Sequence, residues 1–220
     1  MINKKVFVFD FDGTFYSGEQ AFSKVAAYVN KHKREFLPNV SDSEYNKIVK
    51  DHPTWKTVVD GAPLVDMIYL FKKEYPHLNI SVQDFWKWQQ SKPDPIVIDP
   101  NQVVNPEFIK QLCEKYPVYI VSNSSPNHIN FYMNKLNINP KWFKKIISNK
   151  FTAKDRTKKH YYKHILDIEN CLPCNAFVFG DSIKNDLEPA ISLGINNYHV
   201  TDANQIPFLV NKEFQKKDSI

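Results

Sequence analysis

The sequence contains few cysteines, no long apolar run and no block of like charge. Its three cysteines, an odd number, do not make a disulfide framework, and the single C-x-x-C pair lacks the second pair of a zinc site. No stretch approaches the roughly 18 apolar residues of a membrane-spanning helix, and the apolar run after the basic start is too short for a secretory signal. We therefore expect reduced thiols near the core, no membrane partner and a cytoplasmic location.

Charge and composition are those of an ordinary globular protein. Lys and Arg number 29 and Asp and Glu 24, and the net charge of +5 is scattered along the chain, so we expect no nucleic-acid partner. Apolar residues make up 42% of the 220 positions, which excludes wholesale disorder. The length suits one large domain, or a core domain with a smaller insert. The aromatic content of 14% predicts a core rich in aromatic side chains.

Residues 16–95 carry helical patterns and no convincing strand. Two capping-box patterns, Ser17-x-x-Gln20 and Ser41-x-x-Glu44, precede apolar residues at helical spacing. We therefore predict an all-helical domain over residues 16–95, inserted into a core domain that is formed by residues 1–15 and 96–220.

The two remaining parts of the chain alternate between strand and helix patterns. Short runs that predict strands lie at Lys5–Phe9, Val118–Val121, Lys145–Ser148, Ala176–Phe179 and Asn197–Val200. Helical patterns separate them, over about Asn105–Leu112, Pro126–Leu136, Lys158–Ile168 and Asp186–Leu193. This alternation predicts an α/β fold with a doubly wound parallel sheet, in which ligands bind beyond the carboxyl ends of the strands.

Polar clusters follow three of the predicted strands at their carboxyl ends. The clusters are Asp10 with Asp12, Ser122 with Asn123, and Asp181 with Asp186. Carboxylates that crowd the mouth of a buried strand need positive charge, and a hard divalent cation such as Mg²⁺ suits oxygen ligands. A bound Mg²⁺ attracts phosphate oxygens, a serine hydroxyl and a lysine can bind them, and a carboxylate can act as the nucleophile. The residues therefore predict a site for phosphoryl transfer.

In these motifs the sequence resembles the haloacid dehalogenase-like (HAD) hydrolases, and the resemblance covers the whole chain in order and spacing. The matching segments are Asp10-Phe11-Asp12-Gly13-Thr14 for the family's D-x-D-G-T, Val121-Ser122-Asn123 for its hydrophobic-[ST]-N, and Gly180-Asp181-Ser182-x-x-Asn185-Asp186 for its G-D-S-x-x-N-D. The resemblance implies that the helical insert is a cap domain.

The resemblance also implies a role for each site residue. Asp10 is expected to be the nucleophile that forms an aspartyl-phosphate, and Asp12 the general acid and base. The residues expected to bind the phosphoryl group are Thr14, Ser122, Asn123 and Lys158, and those expected to hold Mg²⁺ are Asp10, Asp12 through its backbone carbonyl, Asp181 and Asp186. The implied function is Mg²⁺-dependent hydrolysis of a small phosphorylated metabolite. Dehalogenases and cation-pump ATPases of the family lack an acid at the position of Asp12.

Three points stay open at this stage. The segment before the last motif lacks the lysine-proline pair of relatives with this cap type, so Lys154 and Lys159 compete with Lys158 as the phosphate-binding lysine. A phosphosugar mutase and a non-catalytic module that binds a phosphorylated ligand are alternative functions. The residues specify neither the substrate nor the oligomeric state. His128 follows the Ser122 loop and could reach the substrate, but a surface position is the expected one. The aromatic residues of the insert could stack on a nucleobase or sugar, but they are expected to form the insert's own core.

Overall fold

The computed structural model describes residues 4–16, 41–44, 76, 98, 100–124, 126–148 and 158–215. The chain divides into two compact units, Met1–Ser17 with Ile98–Ile220, and Gly18–Val97. Nearly all of the described residues belong to the first unit. The predicted all-helical domain and its aromatic residues lie almost entirely outside the described residues, so the domain boundaries stay a prediction.

One predicted feature of the insert does fall within a described segment, residues 41–44. The Ser41 backbone N–H donates to Glu44 Oε2 over 2.8 Å, and the Glu44 backbone N–H donates to Ser41 Oγ over 3.2 Å. These two bonds form a capping box, which satisfies backbone donors that the start of a helix leaves unpaired. The predicted helix start at Ser41 is thereby confirmed.

Five parallel strands form one sheet in the described part of the first unit. They are β1 (Val6–Phe9), β2 (Val118–Ser122), β3 (Lys145–Ser148), β4 (Ala176–Gly180) and β5 (Asn196–His199). Their order across the sheet is β3-β2-β1-β4-β5, so the order reverses between β1 and β4, where a parallel sheet opens a crevice beyond its carboxyl ends. The predicted doubly wound parallel sheet is confirmed, and each predicted strand lies within one residue of its observed bounds.

Helices lie between and after the strands. They are α1 (Pro106–Lys115), α2 (Pro126–Lys135), α3 (Lys159–Glu169), α4 (Glu188–Ile191) and α5 (Ile206–Gln215). Helix α1 begins as its sequence predicts, because the Asn105 side chain accepts hydrogen bonds from the backbone N–H groups of Glu107 and Phe108. Helix α5 was not predicted, although Ile206 and Val210 are both fully buried and lie four residues apart, on one helix face.

The predicted helix Asp186–Leu193 is wrong at its start. A π-helical turn spans Ile183–Leu187, and α4 follows it. The Asp186 carboxylate turns back to accept a hydrogen bond from the Ser182 backbone N–H over 3.0 Å, and the Leu187 N–H reaches the Ser182 carbonyl over 3.3 Å. This wider turn carries Asp186 inward, to the edge of the sheet where β4 ends.

The two faces of the sheet bury different side chains. On one face, Phe7 stacks on Phe177 with ring centroids 5.2 Å apart, and Phe9 stacks on Phe179 at 4.7 Å. The other face buries smaller side chains, mainly branched ones, and α3 packs against it through Tyr162 and Ile165. Each fully buried phenylalanine contributes about 1.5–3 kcal/mol of transfer free energy. The predicted aromatic core is confirmed, and it fixes the strands that carry the site.

The three cysteines are free thiols with different exposures. Cys171 is buried, Cys113 is half-buried and Cys174 is exposed, so the expectation that all of them lie near the core is wrong for Cys174. Cys174 is exposed because it lies in a short helical turn, Pro173–Asn175, that precedes β4. Among the helices in the described ranges, none is long and apolar enough to cross a membrane.

Candidate active site

Three acidic side chains converge at the carboxyl ends of β1 and β4. Asp10 follows β1 directly and is 8% exposed, Asp181 follows β4, and Asp186 lies in the π-helical turn beyond it. One carboxylate oxygen from each of the three lies within 4.8 Å of the others. Strand pairing brings them together, because Phe9 of β1 lies in register with Phe179 of β4. Two of the three predicted polar clusters thus share one crevice.

Two glycines give the acids room to approach. Gly13 has a φ of +78°, and a Cβ atom at this position would lie 2.2 Å from Asp181 Oδ2. A Cβ atom at Gly180 would lie 2.5 Å from Asp186 Oδ2. Both distances are far below van der Waals contact, and the positive φ of Gly13 favours glycine in its own right. The glycines of the two acidic motifs therefore let the carboxylates come close to the neighbouring backbone.

A buried lysine bridges two of the acids. Lys158 precedes α3, its side chain is 1% exposed, and its Nζ lies 2.5 Å from Asp10 Oδ1 and 2.7 Å from Asp186 Oδ1. Of the two competing lysines, Lys159 is exposed and Lys154 lies outside the described residues. Burial opposes the charge of Lys158, but Asp10 and Asp186 hold the pKa of its ammonium above the usual range. The ammonium is therefore a fixed positive charge beside Asp10.

Among the described residues, the acids nevertheless outnumber the positive charge. Three carboxylates, those of Asp10, Asp181 and Asp186, share the single ammonium of Lys158. Burial raises the pKa of Asp10 well above its usual value, and the other two acids raise it further while Lys158 lowers it. Burial and the charge of Asp186 raise the pKa of Asp181 to about 7. An oxygen-only donor set with unbalanced negative charge fits a hard divalent cation such as Mg²⁺.

Asp12 lies in a separate network of hydrogen bonds. Its Oδ1 accepts from the Tyr16 hydroxyl and lies 2.6 Å from His128 Nε2, and its Oδ2 accepts from the Ser124 hydroxyl. Burial alone would raise the pKa of Asp12, but the charge of His128 and the three hydrogen bonds lower it to about 2. In the protein without substrate, these contacts therefore favour the carboxylate form of Asp12.

The prediction that His128 lies at the surface is wrong. The first turn of α2 carries the residue inward, where its side chain is 3% exposed and its ring packs on Tyr132 with centroids 4.6 Å apart. Tyr16 and Ser124, the other two partners of Asp12, were not singled out from the sequence. Their positions, four residues after Asp12 and two after Ser122, are weak signals, because tyrosine and serine are common in such turns.

The predicted phosphate-binding residues occupy different environments. Ser122 is 1% exposed, and its hydroxyl accepts a hydrogen bond from the Ser124 backbone N–H over 3.1 Å. Thr14 is fully buried, and its hydroxyl has no hydrogen-bond partner among the described residues. Asn123 is exposed. Thr14 follows β1, as Asp10 and Asp12 do, and Ser122 is the last residue of the neighbouring strand β2. The exposed side chain of Asn123 is the least constrained of the three.

Comparison with known proteins identifies the family to which the chain belongs. A model of the haloacid dehalogenase-like hydrolases matches residues 4–194. A search of curated proteins gives no match.

Several solved structures share the fold at low sequence identity. A predicted phosphoglycolate phosphatase from Haemophilus somnus is 18% identical, with a TM-score of 0.55 over 93% of this chain and 88% of that one. The magnesium-bound YfnB protein of Bacillus subtilis, described as a HAD-hydrolase, is 16% identical, with a TM-score of 0.55 over 94% of this chain and 99% of that one. A 2-haloacid dehalogenase from Pseudomonas syringae is 13% identical, with a TM-score of 0.57 over 96% of this chain and 99% of that one.

The family match agrees with the sequence and with the fold. The matched residues 4–194 include all of the motif residues on which the resemblance was based, and strand pairing gathers the first and last motifs at one edge of a doubly wound sheet. The chain belongs to the haloacid dehalogenase-like hydrolase family and is an enzyme of the hydrolase class.

Proposed function

We propose that the enzyme hydrolyses a small phosphomonoester through an aspartyl-phosphate on Asp10, with Mg²⁺ as its cofactor. The observation that carries this proposal is the pairing of a buried carboxylate with a buried ammonium at the switch point of the sheet. Asp10 Oδ1 lies 2.5 Å from Lys158 Nζ, so a nucleophile and a cation for phosphoryl oxygens stand side by side.

In the first half of the reaction, Asp10 attacks the phosphorus atom of the substrate. A bond forms between an Asp10 carboxylate oxygen and phosphorus, the bond from phosphorus to the ester oxygen breaks, and Asp12 supplies the proton that the leaving oxygen takes. The Lys158 ammonium offsets negative charge on the phosphoryl oxygens. Ser122, Thr14 and Asn123 are the proposed further contacts of the phosphoryl group.

In the second half, water attacks the phosphorus atom of the aspartyl-phosphate. The bond between phosphorus and Asp10 breaks and its electron pair returns to Asp10, while Asp12 takes one proton from the water. Asp10, Asp181, Asp186 and the Asp12 backbone carbonyl are the proposed holders of Mg²⁺. Bound there, the ion would neutralise the surplus carboxylate charge and favour the binding of a phosphate group.

Two of the structural neighbours agree with this proposal in what their descriptions say. One is described as a predicted phosphoglycolate phosphatase, and another was solved with magnesium bound. The dehalogenase among the neighbours points to a different reaction. Against that reaction stands Asp12, since displacement of a halide by a carboxylate needs no proton for the leaving group, whereas displacement of an alkoxide does.

A screen of phosphorylated metabolites with Mg²⁺ present tests the proposed function. We expect release of inorganic phosphate from at least one small phosphomonoester, and we expect Asp10→Asn to abolish it. Analysis of the organic product separates the alternatives, because a mutase returns a positional isomer with no free phosphate, and a binding module returns the substrate unchanged. A halide-releasing activity with no phosphatase activity would contradict the proposal.

A further inference from the structure

We propose that His128, acting with Tyr16 and Ser124, is a positioning residue that holds Asp12 to take a proton from the water that hydrolyses the phosphorylated enzyme. The inference rests on the proposed function and concerns residues outside the motifs that mark the family. Its basis is the geometry around Asp12, where three side chains from two separate segments of the chain meet one carboxylate.

Hydrogen bonds fix both carboxylate oxygens of Asp12. An ionised carboxylate can only accept, so His128 Nε2, the Tyr16 hydroxyl and the Ser124 hydroxyl are all donors. Two of them donate to Oδ1 and one to Oδ2. A carboxylate has about four lone-pair sites, and three are used here. The acceptor site that remains is on Oδ2, which is therefore the oxygen that would take the proton from water.

The donors are themselves held by aromatic packing. The ring of His128 packs on Tyr132 with centroids 4.6 Å apart, and Tyr132 stacks on Tyr16 at 5.6 Å. Tyr132 therefore supports both donors to Oδ1 at once. The backbone around Tyr16 is also fixed, because the Val104 N–H donates to the Phe15 carbonyl over 2.9 Å. A catalytic group is most effective when a supporting layer of this kind fixes its orientation.

The same contacts can be tested in one half of the reaction alone. The three donors orient the Asp12 carboxylate, and the half in which water attacks needs a base in that orientation. When phosphorus passes from an aryl phosphate to Asp10, the phenolate departs without a proton. An aryl phosphate therefore needs Asp12 only in the second half, where water forms its bond to phosphorus and the bond to Asp10 breaks.

Pre-steady-state kinetics with p-nitrophenyl phosphate and the Mg²⁺-loaded enzyme separates the two halves. His128→Phe keeps a ring against Tyr132 but removes the donor, so we expect kcat to fall by about tenfold or more. We also expect the phosphorylated enzyme to accumulate, so that a burst of one p-nitrophenol per active site appears at close to the wild-type rate. His128→Gln replaces the donor without the ring and is expected to restore most of kcat.

A matched control and a milder variant complete the experiment. His164 is an exposed histidine on α3, and His164→Asn is expected to leave both phases unchanged. Tyr16→Phe removes the hydroxyl that donates to Asp12 Oδ1, the oxygen that His128 also contacts. We expect it to show the same kinetic pattern to a smaller extent. If thermal melting shows that His128→Phe does not fold, Tyr16→Phe decides the outcome.

Several results would overturn the inference. One is an equal fall in the burst rate and the steady-state rate, which indicates general damage to the site. Wild-type kcat in His128→Phe, or a His128→Gln variant as slow as His128→Phe, would exclude a role for the donated hydrogen bond. Failure of the proposed function looks different, because wild type itself would release no p-nitrophenol, or Asp10→Asn would release it at the wild-type rate.

Discussion

The two ends of the sheet both bury carboxylates, but they balance the charge differently. At the carboxyl ends of the strands, three acids share the ammonium of Lys158. At the amino ends, Glu169 has a side chain with no exposure and lies 2.5 Å from Lys4 Nζ and 2.6 Å from Lys144 Nζ. Glu169 also accepts a hydrogen bond from the Tyr119 hydroxyl.

This difference separates a cluster with balanced charge from a cluster with surplus negative charge. Burial alone would raise the pKa of Glu169, but hydrogen bonds from Lys144, Lys4 and Tyr119 lower it to about 2, so this acid is stabilised in its charged form. At the other end, burial and then the repulsion between the acids raise the pKa of Asp10 and that of Asp181 instead. Surplus buried charge costs stability in the free protein and attracts a cation.

Neutralising the proposed nucleophile Asp10, at the carboxyl ends of the strands, should have the largest effect. In Asp10→Asn, an amide replaces the carboxylate that we propose attacks phosphorus, so we expect kcat for phosphomonoester hydrolysis to fall by about 10³-fold or more. The melting temperature should change little, because Lys158 keeps its ion pair with Asp186 and one of several mutually repelling charges is removed. Asp167→Asn, an exposed acid on α3, is the matched control. A folded Asp10→Asn variant with near wild-type kcat would exclude Asp10 as the nucleophile.

The next largest effect should come from the lysine that bridges the acids. Lys158→Ala removes the only positive charge within hydrogen-bonding reach of Asp10 and Asp186 among the described residues. We expect a total loss of about 3–5 kcal/mol, divided between folding stability and transition-state binding, since a buried charge pair is broken. Thermal melting measures the loss of stability, and steady-state kinetics measures the loss of transition-state binding. Lys159→Ala, an exposed neighbour, should change the rate less than about threefold; a reversed outcome would mean that Lys159 is the phosphate-binding lysine.

Adding Mg²⁺ should stabilise the protein only through the acidic cluster at the carboxyl ends of the strands. At about one hundred times its dissociation constant, a ligand that binds only the folded state adds about 2.7 kcal/mol. We therefore expect Mg²⁺ to raise the melting temperature, chelator to reverse the shift and to stop turnover, and Asp181→Ala to weaken both responses. Glu169→Gln should keep the full Mg²⁺ shift. An unchanged melting temperature across the Mg²⁺ titration, together with activity in chelator, would contradict the metal site.

The smallest effect should come from Glu169, at the amino ends of the strands. Glu169→Gln breaks a buried ion cluster whose two lysines are about half exposed, so we expect a loss of about 2 kcal/mol in the free energy of unfolding, with no change in kcat. The folded pKa of about 2 lies below the usual 4.5. Glu169 therefore stabilises the wild type fully above about pH 4.5 and progressively less as the pH falls towards 2.

Denaturant titrations of the two proteins between neutral pH and acid pH measure this contribution. The difference in stability between wild type and Glu169→Gln should shrink as the pH falls through this window. A difference that stays constant with pH would mean that the ionised carboxylate of Glu169 does not stabilise the fold.

The sequence predicted the three central strands well because β1, β2 and β4 are buried along their whole length. Runs such as Val6–Phe9 and Ala176–Gly180 are continuously apolar, and turn residues end each of them, so local sequence is sufficient to locate them. Helix α5 was missed although its spacing carried a signal, since Ile206 and Val210 bury one face. The π-helical turn could not be predicted, because it depends on how the Asp186 carboxylate reaches the Ser182 backbone.

The residues of the candidate site also fall into two groups, those that the sequence predicted and those that it did not. Asp10, Asp181 and Asp186 stand in compact motifs that follow predicted strands, so their convergence at one edge of a parallel sheet could be expected from the sequence. His128 has its partner in Asp12, 116 residues away in sequence, and no local pattern indicates such a pair. For the same reason the sequence could not choose among the three candidate lysines, since the choice depends on which one the chain buries before α3.

The central place of β1 also has a consequence for synthesis of the protein on the ribosome. Of the five strands β1 is translated first, yet its hydrogen-bonded neighbours are β2, which begins at Val118, and β4, which begins at Ala176. At about 5–20 residues per second, β4 emerges roughly 10–30 s after β1. During that interval the strand Val6–Phe9 has no partner on one edge, and its phenylalanines lack the rings they stack on in the finished protein. Unpaired apolar segments of this kind are what chaperones that hold unfolded chains bind, and β1 can pair on both edges only after residue 180 has left the ribosome.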